Sequence, residues 1–337
     1  MKEIKYFIIA CIIANAFTFF AFESIKTQPI NLTIKTHLGA GFFAEFSKVM
    51  SGLIHFEEEG LQNVYVDWTD EFFPYKDEPH GNGWNLYFEP IMVDNNQKNS
   101  TEKNEVYGGG FHEIHDQICS SPWLSYDAFL PYRTFVNQKI NQYIQVKKNI
   151  THKVDDFYDK HMHNSICIGV HVRYANAHSA EVPGGRHPSI EEYFAEIDAI
   201  KNAHPHRNIT IYVATDSHYV INRFRQNYGA QAVYIDAYRA NNTEDPGLIY
   251  ENADYWLSHP AEWHQKKPGY IGGLTTLLDC LLLARCNYLI HTTSNLSNFV
   301  SFFNPHIKSV YLPRSAPYIA CRHKNDSSVR NKFLNPI

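Results

Sequence analysis

The stretch Ile168–Tyr193 reads IGVHVRYANAHSAEVPGGRHPSIEEY. It sets His171, Arg173, His178, Glu181 and His187 between an apolar strand and a helix start. A guanidinium at that position can clasp a phosphate through two parallel hydrogen bonds. It can also offset the charge that grows on a diphosphate leaving group as its glycosidic bond breaks. The plainer role is an arginine paired with a nearby carboxylate. Glu181 follows eight residues after Arg173. It is either a base for an attacking hydroxyl or an ordinary solvated loop carboxylate.

Two other stretches end in polar groups in the same way. ITIYVATD (209–216) delivers Asp216, a hydrogen-bond acceptor for a base or ribose, or a cap for the next helix. NYLIHTT (287–293) delivers Thr292 and Thr293, followed by Ser294 and Asn295. These groups can donate to phosphate and cap a following helix, and the two roles are compatible. Asp279 lies inside LLDCLLLA and needs a buried donor partner.

Positioning these groups requires strands and helices in alternation. In the second half, strands are expected at 165–172, 209–216, 232–236, 287–293 and 309–313. Helices are expected at 189–203, at HYVINRFRQNY, at 273–286 and at NLSNFVSFF. Continuous apolar strands separated by helices indicate a parallel sheet covered on both faces. Ligands of such sheets bind beyond the carboxyl ends of the strands, where Arg173, Asp216 and Thr292–Asn295 fall. The first half opens with a strand at 30–38, the helix GAGFFAEFSKVMSGLIHFEEEG and a strand at 63–68. Residues 69–110 show little periodicity, Tyr132–Tyr158 reads as one helix, and His161–Asn164 reads as a joint.

The whole chain has 337 residues, which favours two domains. The expected division is 1–24 as signal peptide or membrane anchor, 25–160 as one Rossmann-like domain and 161–337 as another. The leader rests on the apolar run Tyr6–Phe22 with an A-x-A pattern at Ala14–Ala16. It implies a secretory or extracytoplasmic protein, cleaved or anchored. A net charge of −5 gives no electrostatic basis for wrapping nucleic acid. Of six cysteines Cys11 lies in the leader, and the five that remain, widely spaced, form no disulfide framework and no CxxC pair, though one or two bridges fit an exported chain. His112-x-x-His115 and His161-x-His163 lack a third ligand, so no metal site is expected. Gly39-Ala40-Gly41-Phe42-Phe43-Ala44, with Asp67 ending the next strand, fits a dinucleotide loop and keeps an NAD-dependent oxidoreductase open.

GVHVR, HPSIEEY, IYVATDS and LLDCLLLARCNYLIHTTSN, in that order, resemble the GDP-fucose-dependent fucosyltransferase superfamily. The α1,6-fucosyltransferases and nodulation fucosyltransferases look nearest. The resemblance covers about residues 165–300. It implies a GT-B fold, two Rossmann-like domains facing a cleft, with the GDP-sugar donor held by the second. It implies inverting transfer of fucose to a glycan or protein hydroxyl without an essential metal or other cofactor. The family's HxR motif falls on His171 and Arg173, and its proposed base on Glu181. Asp216 and Asp279 fall on its nucleotide side, and Thr292–Asn295 on its phosphate loop. The loop with Gly39 and Gly41 would approach the donor from the first domain. An acceptor would lie against aromatics such as Trp68 and Trp84. A non-catalytic module that binds glycans is the remaining alternative.

Overall fold

The computed structural model describes residues 31–35, 41–58, 63–70, 73–77, 80–91, 104–106, 129–174, 188–237, 239, 268–292 and 294–312. The leader, Gly39, His112, His115, Glu181 and Thr293 lie outside the described residues.

The first half contains β1 (Asn31–Lys35), α1 (Phe42–Glu58), β2 (Asn63–Asp67), the single turn α2 (Trp84–Tyr87) and β3 (Asn104–Val106). Its strands form a parallel sheet in the order β2-β1-β3. Two helices follow, α3 (Leu130–Tyr143) and α4 (Lys148–His161). The second half contains β4 (Ile166–Val172), α5 (Ile190–Ala203), β5 (Ile209–Thr215), α6 (His218–Tyr228) and β6 (Ala232–Val233). It ends with α7 (Gly269–Ala284), β7 (Tyr288–His291), α8 (Asn295–Phe303) and β8 (Lys308–Tyr311). These five strands are parallel in the order β6-β5-β4-β7-β8. The chain runs outward from β4 through β5 to β6, then crosses back to β7 and β8. The direction of winding therefore reverses between β4 and β7, and open parallel sheets bind their ligands beyond the carboxyl ends at such a point.

Side-chain alternation along the strands sorts the core onto two faces. Ile168, Val170 and Val172 join Ile211, Val213, Ile197 and Phe224 on one face. Cys167, Tyr212, Ala214 and Leu289 lie on the other, with α4, α7 and α8. Gly169 is there because α7 lies against β4: a Cβ would meet Leu283 Cδ2 at 2.8 Å and Cys286 Sγ at 3.1 Å. This second cluster runs without a break into the first half. Phe43 stacks on Phe299 with ring centroids 5.2 Å apart, and Phe46 meets the same ring edge-on at 4.9 Å.

Several sequence-based expectations need correction. Tyr132–Tyr158 is two helices. The segment between them pairs with residues 87–89 instead of continuing the helix. Glu89 N–H donates to Gln145 O at 2.8 Å, and Lys147 N–H donates to Tyr87 O at 3.0 Å. The strand expected at 232–236 keeps only Ala232–Val233. The helix expected at 273–286 starts earlier, at Gly269, whose φ of +61° suits glycine. Trp68 and Trp84 line no cleft. Both are fully buried, with ring centroids 5.1 Å apart, among Phe42, Phe46, Phe73 and Phe88. Among the described residues Cys167, Cys280 and Cys286 are buried free thiols, and Cys119 and Cys321, which a bridge could still use, lie outside them.

Candidate functional site

The candidate site takes shape at the ends of β4 and β7. Their ladder closes with His171 opposite His291, and both rings are buried. Beyond β4 the chain delivers Arg173. Beyond β7 it delivers Thr292, then Ser294 and Asn295 at the start of α8. Ser294 Oγ lies 3.2 Å from His171 Nδ1 and joins the two strand ends. The same oxygen accepts the N–H of Ser297 at 3.0 Å, capping α8. Ser297 Oγ in turn donates to Thr292 O at 2.9 Å. The first N–H groups of α8 are thus held at the rim, with the positive end of the helix dipole.

His291 is buried at the end of β7. Its Nδ1 donates to Thr292 O at 3.0 Å, and its Nε2 accepts from Ser309 Oγ at 2.8 Å. Burial pushes the imidazole down to about 4, against the bond to Thr292, so the ring is neutral near pH 7.

The first half contributes Gly41 and Tyr75. Tyr75 Oη accepts the N–H of Phe42, the first residue of α1, at 2.9 Å. A Cβ on Gly41 would lie 3.9 Å from that oxygen. Burial pushes the Tyr75 hydroxyl up to about 12, while the Phe42 N–H and the charge of Arg173 oppose the push. Arg173 therefore lies within electrostatic reach of the amino end of α1. Tyr75, in an aperiodic aromatic stretch, carries no signal of its own in the sequence.

Asp216 follows β5. Its Oδ1 accepts the N–H of Tyr174 at 2.9 Å. Ser217, not Asp216, occupies the N-cap position of α6. Asp279 projects from α7 toward β5, and Tyr212 Oη donates to its Oδ1 at 2.5 Å. Burial pushes this carboxyl up to about 7, against the Tyr212 bond and the charge of Arg239. Arg239 is a second residue the sequence left unmarked. Its buried guanidinium binds the carbonyls of Thr215, Ile235 and Ala237, acceptors that no sequence pattern displays.

His171, Arg173, Thr292, Ser294 and Asn295 thus gather at the β4–β7 rim, and Gly41 stands at the amino end of α1. Asp216 is one strand over, and Asp279 faces the sheet from α7. Among the described residues no cluster of three His, Cys, Asp or Glu side chains could hold a metal ion. In the dinucleotide motif, Asp67 Oδ1 accepts from both the N–H and the hydroxyl of Thr69, at 3.1 and 2.5 Å.

The family model described as Nodulation protein Z (NodZ) matches residues 127–330, more than half of the chain. The chain belongs to the NodZ family. Nodulation protein Z of Azorhizobium caulinodans is 26% identical over 162 residues, 45% of this chain and 40% of that protein. The matched span is thus less than half the length of that relative. A NodZ α-1,6-fucosyltransferase structure co-crystallized with GDP has a TM-score of 0.51 and 16% identity. It covers 81% of this chain and 91% of its own. A structure of the NodZ enzyme soaked with GDP-fucose has a TM-score of 0.52 and 16% identity, over 82% and 93% of the chains. These likenesses establish the fold: the expected α/β GT-B architecture with parallel sheets is the one this NodZ-family chain adopts. The family match covers the half that carries Arg173 and Ser294, not the Gly39–Gly41 loop on which the NAD reading rested.

Proposed function

We propose that this chain is a glycosyltransferase that moves fucose from GDP-fucose to a hydroxyl of a glycan or protein acceptor. The observation that carries the reading is Arg173 beside the His171–Ser294 contact, where the direction of winding reverses. Membership of the NodZ family supports the donor.

In this reading the diphosphate lies across the rim. Arg173 binds it, with Thr293, Ser294, Asn295 and the first N–H groups of α8 adding hydrogen bonds. His171 orients Ser294. Gly41, with Gly39, lets the backbone approach from the first half. As the C1–O bond to the diphosphate breaks, negative charge grows on the leaving oxygens. Arg173 and the α8 N–H groups stabilise that charge more in the transition state than in the ground state. Glu181 takes the proton of the acceptor hydroxyl as its oxygen attacks C1 from the opposite face, inverting that centre. Asp279 supports the nucleotide side through Tyr212. The scheme needs no metal, and residues 1–24 serve as an export signal or anchor.

GDP release from GDP-fucose in the presence of a panel of glycans and glycoproteins tests this. Acceptor-dependent release that persists in EDTA and is lost in Arg173→Ala and Glu181→Gln is the expected result. Release that needs added metal, or that is unchanged in Arg173→Ala, contradicts it.

A further inference from the structure

The carboxylate of Asp216 is turned toward the chain itself. The ladder between β4 and β5 ends with Val172 opposite Thr215. One residue beyond that end, Asp216 Oδ1 accepts the N–H of Tyr174 at 2.9 Å. Tyr174 directly follows Arg173. A side-chain bond thus takes over where strand pairing stops, and it fixes the backbone that carries the guanidinium.

The support of this bond is rigid. Arg239 donates from Nε to Thr215 O at 3.2 Å, from Nη2 to Ile235 O at 2.8 Å and from Nη1 to Ala237 O at 3.2 Å. It therefore anchors the residue before Asp216. On the outer side, the Tyr174 ring packs against Tyr219 with centroids 5.4 Å apart. Tyr219 Oη accepts from Arg223 Nη1 at 3.0 Å, and Arg223 Nη2 pairs with Glu191 at 2.7 Å. Tyr174 is held by backbone and ring at once, and the orientation of Arg173 follows from both.

We infer that Asp216 is a positioning residue that acts on the donor through Arg173, not a ligand of base or ribose. The inference rests on Arg173 binding the donor diphosphate. It has a specific chemical consequence. An asparagine keeps the oxygen that accepts from Tyr174 and loses only the charge. An alanine loses the acceptor. A ligand role that depends on the negative charge would make the two substitutions equally harmful.

The test is calorimetric titration of GDP-fucose into full-length wild type, Asp216→Asn, Asp216→Ala, Arg173→Ala and the Arg173→Ala/Asp216→Ala pair. Amide exchange at Tyr174 is followed alongside. Asp216→Ala should weaken binding about tenfold and speed exchange at Tyr174. Asp216→Asn should restore affinity to within about threefold of wild type and slow that exchange again. In the Arg173→Ala background, Asp216→Ala should cost less than about twofold, because residues acting through one contact are not additive. If Asp216→Asn binds as poorly as Asp216→Ala, or if the two losses add, the positioning role is overturned. The same holds if affinity drops in Arg173→Ala but not in Asp216→Ala. If Asp216→Ala does not fold, Asp216→Leu, which also lacks the acceptor for Tyr174 N–H, takes its place in both backgrounds. Folded wild-type protein that binds no GDP-fucose, or binds it equally well without Arg173, overturns the donor reading and this inference together.

Discussion

His171 Nδ1 and Ser294 Oγ lie 3.2 Å apart across the point where the sheet reverses its winding. The contact joins a strand end to the cap of α8, so fold and site share one hydroxyl. Ser294→Ala removes the cap, which costs about 1 kcal/mol. It also removes the hydroxyl proposed to donate to phosphate and the contact to His171 Nδ1. GDP-fucose affinity should fall about tenfold while the protein stays folded. Ser294→Thr, which keeps a hydroxyl at the cap, should retain most of both. Calorimetry and thermal melting on the three proteins check this, and unchanged affinity in the alanine variant would remove Ser294 from the site.

The tryptophans of the first half make a prediction about stability. Trp84 is stacked against Phe46 and meets the tilted ring of Phe88, and its Nε1 donates to Glu89 O at 3.0 Å. Trp84→Ala should cost about 3–5 kcal/mol in urea unfolding, since it opens a large cavity and leaves a carbonyl unpaired. A variant of normal stability that binds acceptor poorly would restore the cleft role.

Asp279 gives a pH dependence with a definite sign. Its carboxyl sits at about 7 in the folded chain, against an ordinary 3.8. The folded state therefore keeps a proton that the unfolded state has released. The contribution to stability is fully present below about pH 4 and is lost as pH rises through 7. The span corresponds to about 4 kcal/mol. Asp279→Asn keeps an acceptor for Tyr212 and cannot ionise. Denaturant midpoints at pH 4.5 and pH 8 (about the two ends of that window) should show the variant gaining on wild type as pH rises. Parallel curves would contradict the burial of this carboxyl.

His291 works in the opposite direction. Its folded value of about 4 lies below the usual 6.5. The unfolded chain takes up the proton first, so stability is held above about pH 6.5 and lost as pH falls toward 4. The loss is about 3 kcal/mol. His291→Gln should start less stable near neutral pH, because the bonds to Thr292 and Ser309 are disturbed, yet lose less on acidification. Acid melts of the two proteins check it. An equally steep acid limb in the variant would rule His291 out as its source.

Much of the second half is legible because its physics is local. Buried parallel strands read as apolar runs, and Ser189 with Glu192 forms a capping box that marks the start of α5. Asp279 announced its need for a donor by its apolar neighbours, but only the fold could supply Tyr212. What stayed hidden is tertiary. No glycine or proline marks the break between α3 and α4; the backbone of residues 87–89 makes it. Trp68 closes an expected strand and Trp84 stands in an aperiodic stretch, and the burial of both depends on α1 packing over them. Arg239 binds only carbonyls. Asp216 looked like a ligand because its chemistry suits one, and its bond to Tyr174 exists only once β4 and β5 are paired.

The most direct test of the account is the donor titration of full-length protein beside Arg173→Ala. Micromolar binding of GDP-fucose by wild type, weakened at least about a hundredfold in the variant while the fold is kept, is the predicted result. Folded wild-type protein that binds neither GDP nor GDP-fucose would contradict the donor site, and with it the function proposed for the chain.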